Sequence, residues 1–267
     1  MALLTLSQIH KTFEKGTVNE NHVLRGLELE VNQGDFISII GGNGAGKSTL
    51  LNSISGAVTI DEGDILLEGQ SIRKTAVSQR AKDISRVFQD PRMGTATNLT
   101  IEENMAIAYL RGKKRHLFKK AVTDKDREIF KAALAELDLG LENRLKTDAA
   151  FLSGGQRQAL TLAMATLVRP KLLLLDEHTA ALDPKTSEMV MRLTKKIVEE
   201  QGLTTLMITH NMEHAITYGN RLVMLYHGKI VVDVSGEEKK NLTVAQLMDL
   251  FHKNSGQALT DDALVLG

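Results

Sequence analysis

The 267-residue chain contains no cysteine and no tryptophan. Without cysteine there is no disulfide framework, no thiolate metal site and no cysteine nucleophile, an absence that fits a reducing cytosol without proving it. Three Tyr and seven Phe are the only aromatics, so stacking platforms for nucleic-acid bases are few. Charge of one sign is not in surplus either: 33 Lys and Arg balance 33 Asp and Glu. A general grip on nucleic acid relies on excess Lys and Arg facing phosphates, and the balance argues against one. Long apolar runs are missing as well. Leu172 to Leu175 is the longest near the middle, far short of the roughly 20 residues of a membrane-spanning helix, and no stretch resembles a signal peptide. With 42% hydrophobic and 25% charged residues, the composition is that of a globular chain with one full core and room for a small subdomain.

Glycine, by contrast, is concentrated. GGNGAGKST at residues 41 to 49 follows the apolar run Phe36 to Ile40. Gly41, Gly46, Lys47 and Ser48 fit G-x-x-x-x-G-K-[ST], in which backbone N–H groups wrap phosphates, the lysine reaches the outer ones and the hydroxyl holds Mg²⁺. Chance would produce the pattern in roughly one chain per hundred of this length. Its setting sharpens it, because Phe36 to Ile40 reads as a buried strand and Ser48 to Ile54 as a helix whose positive end faces the phosphates.

Period-two alternation over Leu3 to His10 and Val23 to Val31 predicts half-exposed strands; Asp64 to Leu67 and Ile84 to Phe88 read as further strands. Between residues 89 and 152 the pattern is helical, with Thr100 to Leu110 and then Thr123 to Leu139, capped by Thr123 and carrying an apolar stripe of Ile129, Ala132, Ala133 and Leu137. This segment reads as an inserted helical subdomain. Beyond it come strand Leu172 to Leu175, helix Pro184 to Glu200 stopped by Gly202, strand Thr204 to Thr209, a short helix near Asn211, strand Arg221 to Tyr226, a turn at His227-Gly228 into Lys229 to Asp233, and helix Val244 to Phe251. The alternation predicts parallel strands covered by helices. Met189, Met207 and Met224 are core gap fillers on this reading. The basic run Arg111 to Lys120 is a solvated face or a contact for anionic lipid or a membrane partner.

Two downstream sets suit a nucleotide hydrolase. A buried strand ending in Asp176 would put one carboxylate beside the loop's Mg²⁺, and Glu177 could take a proton from water attacking the terminal phosphate. LSGGQ, Leu152 to Gln156, contains an S-x-x-Q capping box, the ordinary start of a helix. A capping box needs no glycine, whereas a phosphate pressed on exposed N–H groups does, which leaves Gly154 and Gly155 for a ligand.

LSGGQ, with GGNGAGKST before it and LLLLDE after it, resembles the ATP-binding cassette of ABC transporters over residues 3 to 235. The resemblance implies an α/β phosphate-loop cassette with a mixed RecA-like core sheet, a small antiparallel β subdomain and a helical insertion at 90 to 165, the cassette spanning residues 1 to 240 and a C-terminal helix and tail 241 to 267. It implies that Gly41, Gly42, Asn43, Gly44, Ala45, Gly46, Lys47, Ser48 and Thr49 bind ATP phosphates. Phe13 stacks on adenine unless it is a core residue, Gln89 touches Mg²⁺ and water at the hinge to the helical insertion, and Ser48, Gln89 and Asp176 hold the metal. Glu177 polarises water, His210 holds the γ-phosphate, Ser153, Gly154, Gly155 and Gln156 cover the ATP of a second copy, and Asp183 signals across the pair or merely caps a helix before Pro184.

The implied partners are integral-membrane permease subunits, a second copy and an extracytoplasmic solute-binding protein, with no nucleic acid, at the cytoplasmic face of the membrane. One departure stands out: the family mostly has proline after the Walker B glutamate, and this chain has His178, a change that could loosen the backbone there. DEHTAALDP and LTVAQLMDLF are similar to a bacterial importer group whose permeases look like those for branched-chain amino acids and whose suggested cargo is aromatic amino acids. Rival readings are a DNA-repair, chromosome or translation ATPase, disfavoured by neutral charge, a single cassette and no space for a long coiled coil, and a membrane complex that handles lipid or cell wall.

Overall fold

The computed structural model describes residues 2–113 and 122–255. The two alternating stretches become Ala2–Phe13 (β1) and Asn21–Asn32 (β2), and the apolar run becomes Phe36–Ile40 (β3), buried at every residue. Lys47–Ser55 (α1) follows the glycine loop and stops on left-handed Gly56. Glu62–Leu67 (β4), Gln70–Ser71 (β5) and the single turn Val77–Arg80 (α2) come next. Then follow Ile84–Val87 (β6), Pro91–Gly94 (α3), Ile101–Tyr109 (α4), Asp124–Ala135 (α5), Gly154–Thr166 (α6), Leu172–Asp176 (β7) and Pro184–Gln201 (α7). Thr204–Ile208 (β8), Met212–Thr217 (α8), Arg221–Tyr226 (β9), Lys229–Ser235 (β10), Gly236–Lys240 (α9) and Val244–Ser255 (α10) complete the order.

The chain divides into two compact units, one built from residues up to Arg80 and from Leu203 onward, the other from Ala81 to Gly202. In the first, β2-β1-β4-β5 form an antiparallel sheet. A separate mixed arrangement has β3 between β8 and β9, parallel to both, with β10 antiparallel on β9. The β9–β10 turn uses His227 (φ 44°) and Gly228 (φ 77°), the two left-handed residues that match a tight hairpin to the twist of its strands. Gly228 has no alternative here, since a Cβ would lie 2.2 Å from the Val23 carbonyl oxygen. Ile40, Met224, Val232 and Val234 bury against Ala215 of α8 and Leu247 and Phe251 of α10, each large side chain contributing about 1.5–3 kcal/mol. Met207 is likewise fully buried.

In the second unit β6 and β7 pair in parallel. Thr100, Thr123 and Ser153 each close a capping box at the start of α4, α5 and α6, an arrangement worth about 1 kcal/mol per helix. The apolar stripe of α5 differs from expectation: Phe130, Leu134 and, just past the helix, Leu137 are buried, while Ala132 is exposed. The bulkier side chains at i, i+4 and i+7 win the inward face. The helix also ends at Ala135, before left-handed Asp138 and Gly140. Arg111 belongs to neither a solvated face nor a lipid contact. Its guanidinium donates to Ser85 Oγ and to the carbonyls of Ala165 and Val168. Residues 114 to 120 of the same basic run lie outside the described residues.

Candidate functional site

The glycine loop is shaped by what surrounds it. A Cβ on Gly41 (φ 151°) would meet the Leu225 carbonyl oxygen at 2.3 Å, and one on Gly46 (φ 105°) would meet Leu24 Cδ2 at 2.9 Å. Behind the loop, the Gly228 N–H donates to the Ala45 carbonyl at 3.1 Å, so the β9–β10 turn braces it. Gly46 occupies the N-cap of α1 and supplies no side-chain acceptor, and the first turn holds no acid. The N-cap residue thus offers the first N–H groups of α1 no side-chain acceptor, and these groups carry the positive end of the helix dipole, the elements of a phosphate cradle. Lys47, only 7% exposed, folds its ammonium onto the loop, donating to the Gly41 carbonyl at 2.7 Å and the Gly42 carbonyl at 3.2 Å. That holds a cation against the carbonyls at the start of the loop. Asn43, Gly44 and Ser48 are exposed and Thr49 partly so.

Strand register brings His210 to the same sheet edge. Ile39 pairs with Ile208 in the parallel β3–β8 ladder, so the loop after β3 and exposed His210 after β8 leave from adjacent carboxyl ends, where open α/β sheets bind ligands. Thr209 is tied to the Ile39 carbonyl at 3.1 Å. Phe13, at the end of β1, is 38% exposed with the Lys11 ammonium 5.3 Å from its ring centre. It is not a core residue.

The second unit repeats the logic. Val87 pairs with Leu175 across β6–β7, which puts Gln89, two residues past β6, and Asp176-Glu177, at the last residue of β7 and just after it, at adjacent strand ends. Gln89 is exposed, and the preceding Phe88 carbonyl accepts from Gln158 Nε2 of α6 at 3.3 Å. Asp176 is ion-paired with Arg86 at 2.5 Å, a partner that sequence reasoning missed although an arginine inside the short strand ISRV was a signal. Glu177 is left-handed, with φ 45°. Its neighbour His178, the departure from the family's proline, is 2% exposed, with Nε2 3.0 Å from Thr194 Oγ1. Asp183 caps α7 by accepting from the Thr186 N–H at 3.1 Å, and hydrogen bonding from the Thr186 hydroxyl first, then from this N–H, holds its carboxyl below the usual range.

Ser153 and Gln156 make the expected reciprocal bonds, both at 3.2 Å. Gly155 has a reason that the sequence did not offer. A Cβ there would sit 2.3 Å from Thr186 Cγ2 on α7, and one on Gly154 would sit 3.3 Å from Leu182 Cδ2. Close packing of α6 on α7 therefore requires at least the second glycine, whatever else it does. Gly154 and Ser153 remain exposed.

A model of the ABC transporter family matches residues 24–180. This chain belongs to that family. It is 45% identical over 249 residues to the tyrosine transport ATP-binding protein of Clostridioides difficile strain R20291, covering 93% of this chain and 98% of that one. It is 33% identical over 271 residues to the phosphonates import ATP-binding protein PhnC of Lactobacillus johnsonii, covering 98% and 100%. Among solved structures, a dimeric ATP-binding cassette in a post-hydrolysis state with ADP and Pi superposes with TM-score 0.74 at 28% identity, covering 87% of this chain and 98% of that one. An ADP-bound cassette of an ABC transporter gives TM-score 0.75 at 28% identity over 94% and 98%. The chain is thus the ATP-hydrolysing subunit of an ABC transporter, with the α/β cassette fold, its antiparallel β portion and its mixed core sheet. Among the described residues no helix is long and apolar enough to cross a membrane.

Proposed function

We propose that this ABC ATPase powers import of an aromatic amino acid, tyrosine in the first instance, through permease subunits at the cytoplasmic face of the membrane. The observation that carries the cargo is the 45% identity, over nearly the whole of both chains, to a tyrosine transport ATP-binding protein. The family resemblance supports the rest of the assembly: a second copy of the chain, permeases akin to those for branched-chain amino acids and an extracytoplasmic solute-binding protein.

On this reading Phe13, exposed at the end of β1, stacks on adenine. The N–H groups from Gly41 to Thr49 wrap the phosphates, and Lys47 exchanges the Gly41 and Gly42 carbonyls for β- and γ-phosphate oxygens. The donors available, the Ser48 hydroxyl, the Gln89 amide oxygen and the Asp176 carboxylate, are hard oxygens that suit Mg²⁺. Bound there, Mg²⁺ neutralises charge that builds on the phosphate oxygens. Glu177 takes the proton of the attacking water and His210 orients it. Ser153, Gly154, Gly155 and Gln156 of one copy close over ATP held by the other, and Asp183 links the two halves. Closure and release then drive alternating access in the permease.

The test is a Glu177→Gln chain, tagged and copurified from detergent-solubilised membranes. Recovery of a polytopic permease, a stable ATP-dependent dimer and loss of radiolabelled tyrosine uptake in cells carrying the variant support the proposal. A monomer at saturating Mg-ATP beside its permease removes the paired mechanism, and undiminished tyrosine uptake removes the cargo.

A further inference from the structure

We infer that His178 is a positioning residue for Glu177, acting through a buried hydrogen bond to Thr194 that clips the segment after β7 onto α7. The inference deepens the reading of Glu177 as the base and rests on it.

The geometry begins with strain. Glu177 is a non-glycine residue at φ 45°, a conformation that survives only where neighbours over-determine it. Its carbonyl accepts from the Ala180 N–H at 2.9 Å, and the Thr179 carbonyl accepts from the Leu182 N–H at 3.1 Å, but these turns are local and move with the segment. Two contacts tie the segment to α7. At the far end Asp183 caps α7. At the near end His178 turns inward and its Nε2 lies 3.0 Å from Thr194 Oγ1.

The direction of that bond follows from Thr194. With its hydroxyl donating to the Val190 carbonyl at 2.9 Å, Thr194 turns lone pairs toward the imidazole, and the bond is made by the His178 tautomer that carries its proton on Nε2. Thr194 and Val190 are both fully buried, and no water can replace the acceptor cheaply. One donor and one acceptor thus fix the residue next to Glu177 to the third turn of α7. A free choice of rotamer at His178 would let Glu177 relax toward an ordinary φ and swing its carboxylate away from the end of β7.

Thr194→Val keeps the volume and removes the acceptor. In the full chain, kcat for Mg-ATP hydrolysis should fall about tenfold with the KM for ATP unchanged, because a misplaced base slows chemistry without touching binding. Thr194→Ser, which keeps the hydroxyl, should restore kcat to within about twofold. His178→Ala should lower kcat at least as far, and adding Thr194→Val to it should cost nothing more, since both remove one interaction. Rates are taken below the unfolding midpoint of each variant, measured in parallel, so that lost folded protein is not counted as lost rate. Wild-type kcat in Thr194→Val, or losses that multiply in the double variant, would overturn the inference. Glu177→Gln separates the two levels. If it hydrolyses ATP normally, the base assignment fails and this inference with it; if it is inactive while Thr194→Val matches wild type, only the inference fails.

Discussion

Replacing Gly155 by alanine separates two reasons for one glycine. The added Cβ would lie 2.3 Å from Thr186 Cγ2, more than 1 Å inside the ~3.5 Å of ordinary carbon contact. Thr186 cannot retreat freely: it sits in the first turn of α7 with its N–H on the Asp183 carboxylate. Overpacking of this kind costs about 1–3 kcal/mol, and the better helix propensity of alanine returns at most about 1 kcal/mol. A net loss of about 1–2 kcal/mol is expected. Removing the offending methyl with Thr186→Ser should recover about 1 kcal/mol in the double variant. Denaturant unfolding of the four chains, followed by circular dichroism, measures this cycle, and ATP hydrolysis is measured alongside. If stability returns but hydrolysis does not, the bare backbone of Gly155 also serves the nucleotide. If both return, packing alone accounts for the glycine. A Gly155→Ala chain as stable as wild type, with no coupling to Thr186→Ser, would refute the packing argument.

Three further outcomes are expected. Burial raises the Glu102 pKa, but hydrogen bonds from Arg127 (2.9 Å) and Lys146 outweigh it and hold the carboxyl below its usual 4.5; Glu102→Gln should cost about 1–2 kcal/mol at pH 7, at the low end because Lys146 is largely exposed. That difference should shrink as pH falls below about 4, since a depressed acid stabilises only while ionised; equal stabilities at pH 7 would contradict it. Lys239, which donates to the Ile216, Tyr218 and Gly219 carbonyls, is lowered by burial to about 8. Between about 8 and the ordinary 10.5 the unfolded chain binds more protons, so wild type should gain stability relative to Lys239→Met as pH rises through that window; a constant difference would count against the burial argument. Phe13→Ala should weaken ATP binding by roughly 1–3 kcal/mol if the ring stacks on the base and change stability by less than about 0.5 kcal/mol, because the ring is exposed; unchanged affinity in a titration would remove the stacking role.

The elements were legible wherever one local rule decided them. Thr100, Thr123, Ser153, Asp183 and Asn211 all cap the helices that their sequence positions suggest, and Gly202 ends α7 in left-handed conformation. The α5 stripe failed because two overlapping sets of apolar positions satisfy one period, and only packing shows that Phe130 and Leu134 outrank Ile129 and Ala132. The functional positions at strand ends were legible for the same local reason, a buried run followed by a polar residue. Their supports were not. Asp176 with Arg86, His178 with Thr194 and Gly155 with Thr186 join residues far apart in the chain, and no periodicity encodes such pairs.

Capping also explains how the helices divide their labour. α4, α5, α6 and α7 each begin with a side chain that accepts from the first turn, and α10 does so through Thr243 and Gln246. α1 begins with glycine and no side-chain cap. A glycine N-cap costs a folded chain only about a few tenths of a kcal/mol relative to a capping side chain, and it leaves N–H groups for a ligand that supplies the acceptors. α6 is in a different position, since Ser153 Oγ already accepts from the Gln156 N–H. A phosphate reaching α6 finds the Gly154 and Gly155 end of the helix dipole, but must share it with a cap already in place. On the proposed reading, α1 is the stronger anion site of the two, and α6 adds a smaller share to a nucleotide already held. On the proposed reading that holder is the other copy, which makes closure of the pair depend on ATP.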